Sequence, residues 1–117
     1  MNLMPEIIAE SRDGETVTFL LRVPPDLAHF AGHFPDLPIL PGIVQVDWAV
    51  RLARRYLPEL ESSCDVNNLK FLALVRPDAV LTLRLDYDAS QGALQFNYRD
   101  EGRTYSSGRI RFQCDAR

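Results

Sequence analysis

Thr16 to Val23 alternates strictly, with Val17, Phe19, Leu21 and Val23 on one side and Thr16, Thr18 and Arg22 largely on the other. A period of two over this length predicts a half-buried strand. Met4 to Ser11 predicts a strand before it, joined through an Asp13-Gly14 hairpin turn. Pro24-Pro25 ends the second strand, and Asp26 to Phe30 reads as a short helical turn capped by Asp26. From Ile43 the spacing changes. Ile43, Val44, Val46, Ala49, Val50, Leu52, Ala53, Tyr56 and Leu57 fall three or four residues apart, which predicts an almost fully buried helix from about Gly42 to Leu57, stopped by Pro58. A polar connection, Glu59 to Asn67, follows. Four further strands are expected at Asn68 to Val75, Ala79 to Tyr87, Ala93 to Arg99 and Arg103 to Gln113. Two strands, one apolar helix and four strands make an α+β chain, with a curved antiparallel sheet wrapped around the helix. A helix apolar nearly all round exceeds what one small sheet can cover, which points to a second subunit.

The segment Gly32-His33-Phe34-Pro35-Asp36-Leu37-Pro38-Ile39-Leu40-Pro41-Gly42 fits neither a helix nor a central strand. Each proline fixes its own φ, removes a donor and pushes the preceding residue into an extended conformation. The loop is therefore stiff, and His33 is held at its start. Asp47 lies about one turn inside the apolar helix. A carboxylate there is costly unless paired or hydrogen-bonded. Two explanations stand: acid–base chemistry beside a histidine, or a simple pair with Arg51 at the i, i+4 distance.

The run His33-Phe34-Pro35, Pro38, Pro41-Gly42 with an acid at Asp47 resembles the signature of the 3-hydroxyacyl-acyl-carrier-protein dehydratases. The resemblance implies a hotdog fold and dehydration of 3-hydroxyacyl thioesters to trans-2-enoyl thioesters, in fatty-acid or polyene-type synthesis. It makes His33 and Asp47 the catalytic pair, contributed by different chains of a dimer. His33 takes the α-proton as general base, and Asp47 helps expel the β-hydroxyl as water. The backbone amide of Gly42, at the positive end of the helix, is placed to receive the thioester carbonyl. No cofactor is implied beyond the phosphopantetheine of the carrier protein. Where the family often has glutamine one turn after the acid, this chain has Arg51, which competes for Asp47. In length the chain is closer to compact thioester dehydratases, such as those of aryl polyene synthesis.

At 117 residues, 46% hydrophobic and 25% charged, the chain reads as one soluble domain over residues 1–117. No signal peptide or membrane-spanning run is visible, so a cytoplasmic location is expected. A net charge of −3 argues against nucleic acid as a partner. Cys64 and Cys114 suggest free thiols. His29 and His33 stand four apart, but Gly32 and Pro35 oppose a helix there and no further ligand completes a metal site. Trp48 reads as a core or interface residue, with lining of an acyl tunnel as its functional alternative. Arg51, Arg54 and Arg55, extended by Lys70 and Arg76, read as a solvated face or as a landing site for an acidic acyl carrier protein. A homodimer or higher even oligomer is expected, with a related subunit as a variant. Two other functions compete: a hotdog thioesterase, which does not need His33, and a non-catalytic subunit that binds carrier protein, which does not need the pair.

Overall fold

The computed structural model describes residues 2–30, 38–60 and 65–112. Its strands are β1 (Glu6–Asp13), β2 (Thr16–Arg22), β3 (Asp65–Phe71), β4 (Val80–Asp88), β5 (Ala93–Arg99) and β6 (Thr104–Arg111). A short 3-10 turn covers Ala28–Phe30, and the single α-helix, α1, runs Gly42–Ala53. The strands form one antiparallel sheet in the order β1-β2-β4-β5-β6-β3. This is the α+β hotdog architecture expected. Among the described residues no helix is long and apolar enough to cross a membrane.

The alternation of β2, β4 and β5 delivers Val17, Phe19, Leu21, Leu81, Leu83, Leu85, Leu94, Phe96 and Tyr98 to the core. Burying each of the large apolar side chains is worth about 1.5–3 kcal/mol. Strand register places one row across the sheet: Phe19 opposite Leu83, Leu83 opposite Tyr98, Tyr98 opposite Ser106 and Ser106 opposite Phe71. Helix α1 is seated on the far half of this row. The opposite face carries Thr18, Arg84, Asn97, Ser107 and Lys70 as its own cross-strand row, and an open basin of about 530 Å³ lies over it. In β6, Gly108 leaves room that a Cβ would deny, since that atom would stand 2.6 Å from Phe96 and 2.7 Å from Leu69.

Four expectations shift. The first hairpin turns at Gly14-Glu15, one residue late, because Asp13 still pairs with Thr16 and Gly14 supplies the positive φ of 62°. The first of the four later strands is Asp65–Phe71 rather than Asn68 to Val75. A bulge between Asn67 and Lys70, with Asn68 at φ 56°, breaks the two-residue period that would have marked its start. Its end comes early because Leu72 and Ala73 both turn their amides to the Tyr105 carbonyl. The helix closes at Ala53; beyond it the amides of Arg55 and Tyr56 tighten onto the Leu52 and Ala53 carbonyls three residues back, while Arg54 and Leu57 still reach Val50 and Ala53 four back. No side-chain hydrogen bond caps it, and Asp26 accepts one from Asn2 instead of capping the turn after it.

The largest correction concerns helix burial. Gln45, Trp48, Ala49, Leu52 and Ala53 face the sheet. At 100° per residue, Ile43, Asp47, Val50, Arg51 and Arg54 share the other side. Within one chain that side is uncovered: Ile43 is 80% exposed and the Asp47 side chain 52%. The helix is therefore amphipathic in its own subunit. Its aliphatic residues extend onto the open face beside a carboxylate.

Candidate active site

Helix α1 begins at Gly42 because Pro41 cannot donate, while its carbonyl accepts from the Val44 and Gln45 amides at 3.1 and 3.3 Å. Pro41 stands at φ −60°, ψ 146°, extended, so the loop enters the helix without a bend inside it. The amides of Gly42 and Ile43 have no acceptor among the described residues. They face out of the N-terminal end, where the aligned peptide dipoles concentrate partial positive charge. The Phe71 ring, at the end of β3, packs against Gly42: a Cβ there would come within 2.6 Å of it, so a larger residue would displace that half-exposed ring.

Asp47 sits five residues on, about 7.5 Å further along the axis at the usual rise. Its Oδ2 accepts from Arg51 Nε at 2.7 Å. Both side chains are more than half exposed, so the pair contributes little, about 0.3–0.5 kcal/mol for such a helical spacing. The negative charge of Asp47 reaches the core nonetheless. Burial first, and Asp47 second, push the Tyr98 phenol well above its ordinary value, so Tyr98 remains a donor. Its hydroxyl donates to the Gln45 backbone carbonyl at 2.7 Å.

Gln45 is the residue that sequence reading missed. It is 3% exposed, and its side chain joins three elements. Nε2 donates to the Leu40 carbonyl at 3.2 Å, and Oε1 accepts from Ser106 Oγ at 2.6 Å. The signal was present, since a lone amide falls on the same helical stripe as Trp48, Ala49 and Leu52.

Trp48 is 1% exposed, and its indole N–H donates to the Leu3 carbonyl at 3.0 Å. Of the basic side chains, Arg51 and Arg54 share the open side of α1. Arg55 is paired with Glu10 of β1 at 2.8 Å. Arg54 donates to the Leu60 carbonyl, and Lys70 lies over the basin on the opposite face of the sheet. His33, the His29 side chain, Cys64 and Cys114 lie outside the described residues.

A second open surface adjoins the helix N-terminus. Strand β3 ends the sheet, and Leu69, Phe71, Leu72 and Leu74 are 42%, 49%, 64% and 49% exposed. An edge strand with apolar side chains invites pairing with another chain, and Phe71 links this edge to Gly42.

Comparison with known proteins gives this geometry its context. Residues 9–109 match the family model described as ApeI-like, ApeI dehydratase. The chain is 27% identical over 110 residues to the 3-hydroxyacyl-[acyl-carrier-protein] dehydratase FabZ of Natranaerobius thermophilus, covering 88% of this chain and 75% of that protein. It is 27% identical over 120 residues to the FabZ of Ruminiclostridium cellulolyticum, covering 94% and 84%. Among solved structures it superposes on the dehydratase heterocomplex ApeI:P from Xenorhabdus doucetiae with a TM-score of 0.84 and 31% identity, over 92% of this chain and 96% of that one. An uncharacterized protein from Erwinia carotovora subsp. atroseptica gives a TM-score of 0.80 and 33% identity, over 92% and 94%. The match spans both the helix and the sheet, and the chain belongs to the ApeI-like dehydratase family.

Proposed function

We propose that the protein removes water from 3-hydroxyacyl thioesters carried on an acyl carrier protein, giving trans-2-enoyl thioesters for fatty-acid or polyene-type synthesis. The observation that carries this reading is Asp47 on the open face of a helix whose first amides lack acceptors, in a chain of a dehydratase family. The Gly42 amide receives the thioester carbonyl. His33 takes the α-proton, and the electron pair moves onto the carbonyl oxygen, where the amide stabilises it. As the pair returns, the Cα=Cβ bond forms and the Cβ–O bond breaks. The departing hydroxyl takes a proton from Asp47, directly or through a water. The elimination is redox-neutral and needs only acid–base groups, so the substrate's phosphopantetheine arm is the only prosthetic group involved.

The protein works as a homodimer, or beside a related subunit, in the cytoplasm. The uncovered face of α1 and the apolar edge of β3 support that reading. Each Asp47 then reaches the other chain's His33.

The direct test is hydration of a crotonyl thioester, because dehydration is reversible and adding water removes the conjugated ultraviolet absorption. Loss of that absorption with no release of thiol is expected. Thiol release without hydration would make the protein a thioesterase.

Arg51 enters this scheme as a neighbour of Asp47. Because their exposed pair contributes only about 0.3–0.5 kcal/mol, Arg51→Gln is expected to change turnover by no more than about twofold to threefold. A loss beyond about tenfold in steady-state kinetics would instead place Arg51 on the substrate or its carrier.

A further inference from the structure

We infer that Gln45 is a positioning residue for this reaction, fixing the proline-rich loop against the helix whose Gly42 amide binds the thioester carbonyl. The inference rests on the reading of Gly42 and Asp47 given above and adds what sets their geometry. Two peptide planes meet at Pro41. The one between Pro41 and Gly42 is held by the helix, through the Pro41 carbonyl and the amides of Val44 and Gln45. The one between Leu40 and Pro41 lies outside the helix, and its carbonyl is held by Gln45 Nε2. On the other side of Leu40, its amide donates to the Val75 carbonyl at 2.8 Å. The proline ring locks φ, one of the two torsions between the planes, and the hydrogen bonds on either side hold the other. With both planes held, the direction in which the chain joins the helix through Leu40 and Pro41 is settled.

Gln45 can do this because it is itself immobilised. Ser106, fully buried, donates to its Oε1, and Tyr98, 1% exposed, donates to its backbone carbonyl. Ser106 and Tyr98 stand opposite each other in the sheet, and Phe71, which seats Gly42, stands opposite Ser106. One cross-strand row thus holds the carbonyl-binding amide and the Leu40 carbonyl just before the helix. A shift of the order of 1 Å between such groups can cost about a hundredfold in rate.

The variant Gln45→Met keeps the volume and removes the side-chain hydrogen bonds. It also leaves the buried Ser106 hydroxyl unpaired, so it will lower stability for a purely structural reason. The double variant Gln45→Met/Ser106→Ala removes both partners of the Gln45–Ser106 bond, a nearly neutral exchange for that bond alone, and leaves the Leu40 carbonyl without its donor. We expect the double variant to regain part of the denaturation midpoint lost in Gln45→Met. Its kcat for crotonyl-thioester hydration should stay at least about tenfold below wild type with KM little changed, because the Leu40 carbonyl is still unheld. Recovery of kcat together with the midpoint, or an unchanged kcat in Gln45→Met, would overturn the inference. Amide exchange read by mass spectrometry needs no turnover. Exchange over residues 40–45 should rise in both variants while residues 48–53 keep their protection. Unchanged exchange at 40–45 would also overturn the role of Gln45. An inactive wild type with the expected exchange would count against the dehydratase reading alone.

Discussion

His33→Ala is expected to lower crotonyl-thioester hydration by at least about a hundredfold, the lower range for removing a general base. The α-proton next to a thioester is only weakly acidic, and two groups share the work of removing it. In the proposed mechanism the Gly42 amide stabilises the enolate oxygen but accepts no proton, so it cannot replace the base. Water can, though it is a poor base and is not held in place. The variant should therefore keep binding substrate, and the loss should appear in kcat. Thermal melting beside the kinetics separates a chemical effect from an unfolded chain. Near-normal turnover in a folded variant would remove His33 from the mechanism.

Asp47→Asn should be similarly inactive alone, and mixing it with His33→Ala should restore about a quarter of wild-type activity. His33 is tied through the proline-rich loop to the N-terminal end of its own helix. Asp47 points from the side of α1 that its own sheet leaves uncovered, between Ile43, 80% exposed, and Arg51. Two helices side by side around a twofold axis would bring each carboxylate to the other chain's loop. A mixed dimer then has one site with both substitutions and one with neither. Random exchange makes half the dimers mixed, and half of their sites intact, hence about a quarter. No recovery, with subunit exchange confirmed by native mass spectrometry, would put both residues of a site on one chain.

Much of the fold was legible because punctuation and period agreed. Strand β5 runs Ala93–Arg99 as read, between Gly92, at φ 60°, and the Asp100-Glu101-Gly102 turn. The start of α1 followed from Pro41-Gly42. Where a local device overrode the period, the reading slipped, as at the Asn68 bulge in β3. The spread of apolar positions around α1 hid the difference between a helix buried by its own sheet and one completed by another chain. Asp47 was for that reason placed in an interior, while the structure puts it on the open side. Gln45 was passed over because a polar residue inside an apolar run reads as noise until its partners, 53 and 61 residues away, are in place.

The position of β3 in the sheet has a consequence for the order in which the molecule comes apart. Among the described residues β3 pairs only with β6, across a bulge, and most of its side chains are exposed. Strand β4 lies between β2 and β5 and buries Leu81, Leu83 and Leu85. Local opening is cheapest where few buried contacts must be broken, so β3 detaches long before the centre of the sheet. Phe71 leaves with it, and the helix N-terminus loses the ring that seats Gly42. The ring beside the helix N-terminus thus belongs to an edge strand that opens before the centre of the sheet, and a partner lying along that edge would suppress its departure directly.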